Sequence, residues 1–278
     1  QALRGHFACV EDRLIAHRDQ NQQLWFNRFV QGDLVGNAWT EVGSVKIGDV
    51  LTRVTRNAQG QLEVNGSKYY STGSIFADWI DLYAYDDVNQ RAVIAAVNRH
   101  DQCVSVPDDW DGFGQKTTGS GTLTLKNVPV EDSHLIAFED RFKYQTAYYQ
   151  QFHLATLTGI AQSAVESFSH EVRERKRIFS HGNADLARHD AQVLQVIGQA
   201  SANAYASEAI TQKVAESLQQ AYLSHFESSE VLEHQANVAA ELESAQGQVV
   251  VSKLVLDLTS NLFNALSASA SSRTKQLD

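Results

Sequence analysis

Cysteine, proline and methionine are almost missing from this chain: in 278 residues there are two cysteines, two prolines and no methionine. Cys9 and Cys103 stand far apart, which excludes a disulfide framework and fits a reducing, cytoplasmic compartment. The missing methionine, a start inside an apparent helix (Leu3, Phe7, Val10, Leu14) and a polar end without a capping signal lead us to expect a piece of a longer chain. Functional groups are then expected outside it. No run of about 18 apolar residues occurs, so no membrane-spanning helix is expected. No secretory leader is expected either. A formal net charge of −10 argues against nucleic acid or an anionic membrane surface as the partner. The ten histidines show no HExxH and no paired Cys/His spacing, so no metal site is expected. Gly119-Ser120-Gly121 is neither a nucleophile elbow nor a phosphate loop, no Ser-His-Asp hydrolase set is readable, and no nicotinamide-nucleotide fingerprint appears.

What is present divides into three textures, with hydrophobic content of 43% and 20% charged residues, ordinary for a globular chain. Residues 2–31 read helical, Leu3 to Ala16 and then Gln20 to Phe29, ended by Gly32-Asp33. From Val45 short β-branched or aromatic runs follow: Val50–Thr55, Leu62–Val64, Ile80–Tyr85, Ala92–Val97, Cys103–Val106 and Thr122–Leu125. Turn clusters separate them, and both prolines lie among them, which predicts a compact antiparallel sheet or barrel. After about Ile136 helix formers dominate. Leu154, Leu157, Ile160, Ala161, Ala164, Val165, Phe168 and Val172 keep helical spacing, and residues 184–224 and 228–271 repeat the pattern. Three such long faces exceed what one thin layer buries, which predicts packing against sister subunits.

Two ligand-friendly turns stand out. The first, Gly36-Asn37-Ala38-Trp39-Thr40-Glu41-Val42-Gly43-Ser44, joins helix to sheet; the second is Asn65 to Ser74, followed by Ala77-Asp78-Trp79. Glycine lets a backbone approach a flat ligand, and free N–H groups with hydroxyls bind its oxygens. The order helix, sheet, helix bundle, with these turns and with Asp108–Gln115, Thr118–Thr122 and Phe179-Ser180-His181, resembles the acyl-CoA dehydrogenase fold. The wording is most similar to its reduced-flavin-dependent monooxygenases, the dibenzothiophene and sulfur-acquisition type.

The resemblance implies an α+β chain: residues 1–35 as the end of an N-terminal helical domain, 36–137 as the flavin-binding sheet domain, and 138–278 as the C-terminal helical bundle that makes a homotetramer. It implies reduced FMN (FMNH2; FAD in the alternative) delivered by a separate NAD(P)H:flavin reductase, with O2 and a small apolar, organosulfur-like substrate, through a flavin C4a-hydroperoxide. Asn37 and Ser71 are then the neutral groups that shelter the activated oxygen. Trp39, Thr40, Ser44, Tyr70, Thr72 and Trp79 would line the flavin, and Arg175 and Arg177, with Ser180, its phosphate. In the dehydrogenases of the fold the arginine stands three before the aromatic, where this chain has Lys176, so the two flanking arginines share the assignment. An FAD-dependent acyl-CoA dehydrogenase and a flavin-free scaffold of the same fold are the other readings.

Each residue also has a plainer role. Asn37 suits a helix C-cap or left-handed turn. Trp79 and Trp110 suit a core, and Glu41 an ion pair. The cations at 173–177 suit a helix C-terminus, and His6 a boundary position.

Overall fold

The computed structural model describes residues 1–278 except 19, 44–45, 47–48, 178–179, 276 and 278. The chain divides into two compact units, 1–145 and 146–278.

In the first unit, α1 (Arg4–Ala16) and α2 (Gln23–Gln31) precede nine strands. Helix α2 stops where Gly32 takes φ 99°, a left-handed cap that costs glycine least. The strands are β1 (Val35–Ala38), β2 (Thr40–Glu41), β3 (Arg53–Arg56), β4 (Leu62–Tyr69), β5 (Trp79–Asp86), β6 (Arg91–Asn98), β7 (Val104–Ser105), β8 (Leu123–Val130) and β9 (Leu135–Ala137). They form one sheet in the order β7-β8-β4-β3-β5-β6-β9, with β1 added on β5 and β2 on β4. Pairing is mostly antiparallel, but β1 and β3 both run parallel to β5. Alternate residues Leu123, Leu125, Ile80, Leu82 and Ala84 face a core with Val54, Val64, Val93 and Val97, all essentially inaccessible. Burial of this kind contributes about 1.5–3 kcal/mol for each large aliphatic side chain.

The sheet corrects the reading of both turns. Val35–Ala38 is a strand, and Asn37 sits in it opposite Asp81, so Asn37 is neither a helix cap nor a left-handed residue. Asn65–Tyr69 likewise belongs to β4, with a register shift between Val64 and Gly66. Gly66 adopts φ 157° there, and a Cβ would lie 2.4 Å from Thr52 Oγ1. Only residues 70–73 form the turn. Gly-rich strands carry few β-branched residues, which is why the alternation failed to reveal them.

The second unit holds α3 (Gln145–Glu174, its first residue shared with the boundary), α4 (Ala191–Ser224) and α5 (Glu230–Leu262). Helix α4 begins at Asp190, whose carboxylate accepts from the Gln192 amide at 2.9 Å and the Asn183 amide at 2.8 Å. These amides hold its pKa below the usual carboxylate range. At Gly247 of α5 a Cβ would lie 3.1 Å from Val214 of α4 and 3.4 Å from Leu154 of α3, so its small size lets the three helices meet. Thr158 of α3 bonds Thr211 of α4 at 2.8 Å inside this layer.

Candidate functional site

The site grows from the contact of α1, β1 and the 70–74 turn. Gly5 of α1 faces Asn37, and a Cβ there would lie 2.7 Å from Asn37 Cβ, so a glycine is what lets the helix lie against the strand. His6 Nδ1 accepts from the Val35 amide at 3.3 Å and its ring packs edge-on to Phe29, a boundary role, with burial lowering its pKa.

Tyr70 (φ 58°) and Gly73 (φ 80°) bend the chain after β4. The Asn37 amide donates to Thr72 O at 3.1 Å, which docks the turn on β1. Ser71 is fully buried; its amide and its hydroxyl both donate to Gly121 O, at 3.1 and 2.8 Å. The Gly73 amide donates to Thr118 O at 2.9 Å. Gly36 packs so tightly under the turn that a Cβ would lie 2.6 Å from Ser74 Cα. Asn37 Oδ1 and Ser74 Oγ are buried without a partner.

The structure therefore gathers Asn37, Tyr70, Ser71 and Thr72 with the 118–121 loop. Tyr70 is half exposed and leans on Trp110, ring centroids 5.9 Å apart. Trp110 also donates to Gly114 O at 3.1 Å. Thr40 follows on β2, exposed, in register with Tyr69. The Trp39 indole is partly buried, stacked on Tyr83 with Arg141 over it at 4.6 Å. Glu41 ion-pairs with Lys68 and accepts from the Leu51 and Thr52 amides at 3.0 and 3.1 Å, the structural role expected of it. The Trp79 ring lies among Trp25, His134 and Arg28, its N–H donating to Asp33 at 3.1 Å. Ser44 lies outside the described residues.

Behind Asn37 the sequence concealed a buried charged layer. Asp12 of α1 meets Arg141 at 2.6 Å, and Asp81 of β5 faces Cys9. Burial pushes Asp12 up to about 6 despite the attraction of Arg141, and it raises Asp81 too. The Arg13 guanidinium stacks on Trp25 at 4.3 Å. Sequence distance hid these pairings: Asp12 and Arg141 approach only after the whole sheet has intervened. Thr118 and Ser120 carried a readable signal, alternate hydroxyls flanked by glycines, but no role followed from it.

In the second unit, Arg175 lies just past the end of α3. Its guanidinium donates to Leu266 O, to Ser267 Oγ at 3.3 Å and to Arg177 O at 2.8 Å. Arg177 and Ser180 are exposed. Arg175, Lys176, Arg177 and Lys275 line a cavity of about 330 Å³ together with Glu171 and Glu174. A larger cavity, about 820 Å³, lies along Gly159, Ser163, Ser167 and Phe168 of α3 and Phe263.

The 70–74 turn offers neutral hydrogen-bonding groups, partner-free buried oxygens and aromatic flanks. That chemistry fits a planar heteroaromatic ring bearing carbonyl and N–H groups, so a flavin ring is compatible with the residues present. Among the described residues no group of His, Cys, Asp and Glu is arranged to hold a metal ion, and no helix is long and apolar enough to cross a membrane.

No family model matches the chain. In sequence it is 24% identical over 280 residues to "Probable FMNH2-dependent monooxygenase SfnC" of Pseudomonas putida, an alignment covering 98% of this chain and 68% of that one. It is also 24% identical over 220 residues to a dibenzothiophene monooxygenase of Rhodococcus erythropolis, spanning 74% of this chain and 52% of the relative. Among solved structures it is similar to FMN-bound TdsC from Paenibacillus sp. A11-2, with TM-score 0.84 and 27% identity over 98% of this chain and 71% of that one. The fold is acyl-CoA dehydrogenase-like, as the order of elements led us to expect.

Proposed function

We propose that this chain, an acyl-CoA dehydrogenase-like fold whose sequence relatives are FMNH2-dependent monooxygenases, is itself a flavin-dependent monooxygenase that oxygenates a small organosulfur compound. The observation that carries the reading is the convergence of Asn37 with the Ser71–Thr72 turn, a cluster of neutral hydrogen-bonding groups against a tightly packed backbone. Bound reduced FMN would supply the electrons that activate dioxygen and allow one of its oxygen atoms to reach the sulfur.

The chain's own residues prepare that site. Asn37 presents a side-chain amide, which hydrogen-bonds without exchanging a proton at neutral pH. Ser71, its hydroxyl committed to Gly121 O, fixes the turn on the 118–121 loop. Tyr70 and Thr72 flank the ring, Thr40 lies at its edge, and Trp39 contributes main chain, its indole being stacked on Tyr83. Trp79 we now place with the packing residues, because its ring and N–H are both engaged. Of the two arginines, Arg177 is left for a flavin phosphate, in a neighbouring subunit's site, since Arg175 is tied to the 266–267 segment; exposed Ser180 accompanies it.

A separate NAD(P)H:flavin reductase, a cytoplasmic location and a homotetramer complete the reading, with residues 36–137 as the flavin domain and 138–278 as the assembly domain. The exposed apolar side chains of α5 support the tetramer. Two parallel assays test the activity. Photoreduced FMN, air and dibenzothiophene should yield a sulfoxide, whereas octanoyl-CoA with an artificial electron acceptor should show no turnover. Acyl-CoA oxidation without sulfoxide would overturn the proposal.

A further inference from the structure

Three hydroxyls and a carbonyl form a chain at the 70–74 turn, and donor counting gives it a direction. Thr118 Oγ1 lies 2.8 Å from Gln115 O, which only accepts, so Thr118 donates there. Ser120 Oγ lies 2.7 Å from Thr118 Oγ1. The single Thr118 proton is already committed, so Ser120 is the donor. Thr72 Oγ1 lies 2.9 Å from Ser120 Oγ, and the same reasoning makes Thr72 the donor. Its remaining approach, 3.4 Å to Tyr70 O, therefore carries no proton. Thr118 and Ser120 are 5% and 7% exposed, and low local polarity strengthens such a chain. Half-buried Thr72 ends it, with its proton directed inward and only lone pairs directed outward.

We propose, resting on the flavin reading above, that this one-way chain makes Thr72 an obligate acceptor toward the ring and thereby selects reduced over oxidised FMN. Two-electron reduction of an isoalloxazine converts a ring nitrogen that only accepts hydrogen bonds into an N–H that donates them. An acceptor on the protein pairs with the reduced ring. Against the oxidised ring it sets lone pair against lone pair, leaving both groups desolvated and unpaired. Sites built to hydrogen-bond one N–H or O–H discriminate strongly against the analogue lacking it. For a protein drawing flavin from a pool of both redox states, such a residue admits the state that reacts with oxygen.

Two variants release the Thr72 proton by different routes. Ser120→Ala removes its acceptor, and Thr118→Val frees the Ser120 proton to point back at Thr72. Anaerobic titration of the full chain with FMN and with FMNH2 gives the ratio of the two dissociation constants. The wild type should prefer FMNH2. Each variant should lower that preference about tenfold, the scale of one switched hydrogen bond. The midpoint potential of bound FMN should fall by about 30 mV per tenfold. If both affinities weaken together and the ratio stays put in both variants, the chain is only structural and the inference fails, while FMNH2 binding leaves the flavin reading intact. If the wild type binds neither flavin, the flavin reading fails and takes the inference with it. Should Ser120→Ala not fold, Thr118→Val decides alone.

Discussion

Asp12 shows how far a single buried side chain departs from its behaviour in water. It contacts Arg141 at 2.6 Å, yet burial beside Asp81 outweighs that attraction and raises its carboxyl to about 6. The folded chain thus binds more protons than the unfolded one between about pH 4 and 6, where an exposed aspartate has already ionised. Stability is therefore favoured on the acid side of that window and falls by about 3 kcal/mol as pH rises through it. Urea midpoints at several pH values should show this slope reduced in Asp12→Asn. Lys68 behaves differently, because its ammonium is inaccessible and neutralised by Glu41. Lys68→Met should cost about 3–5 kcal/mol in the same titration by stranding a buried carboxylate. The sequence suggested an ion pair for Glu41 but named no partner for it, and it gave no sign of the raised Asp12 carboxyl. The β2–β4 register that pairs Glu41 with Lys68 is a tertiary fact.

Among elements, the long helices were the most legible, since a 3.6-residue period persists over many turns. Helix α3 runs Gln145–Glu174, and the apolar stripe read from Leu154 to Val172 lies within it. Strands with β-branched alternation were also readable: β5 and β6 fall on the runs expected for them, and β8 starts within its expected run and continues to Val130. Short β1 and β2 escaped because Gly36 and Asn37 are turn-like residues and β2 is only two residues long, and pairing with β5 and β4 is what makes them strands. The candidate site was legible as a list of residues but not as an arrangement. Ser71 was expected among the neutral groups around the activated oxygen, and its hydroxyl is committed to Gly121 O as a buried staple, while the 118–121 loop that receives it had no assigned role. Capping offers a test at this scale. Asp190 closes the amino end of α4 and also holds the Asn183 amide. Asp190→Ala should lower stability by about 1–2 kcal/mol in thermal or urea unfolding, with little change in helix content by circular dichroism.

For the molecule as a whole, α5 is apolar on two opposite sides. One side, with Val251, Val255, Leu258 and Leu262, is buried within its unit. The other carries Val231, Val238, Leu242, Val249 and Leu256, exposed by 66%, 52%, 57%, 75% and 65%. Their separations of four and seven residues make a continuous helical stripe, the pattern of a helix that packs on another. Leu242→Glu with Val249→Glu should reduce the sedimenting mass to that of a monomer while the circular dichroism spectrum stays unchanged; an unaltered mass would remove the stripe from any role in assembly. Isotope labelling tests the proposed delivery of an oxygen atom from O2 to sulfur. With chemically reduced FMN, dibenzothiophene and ¹⁸O₂ in ordinary water, the sulfoxide formed in the presence of the protein should carry one ¹⁸O atom by mass spectrometry. Product bearing only oxygen from water, or no protein-dependent product at all, would rule out oxygen transfer from O2 by this protein.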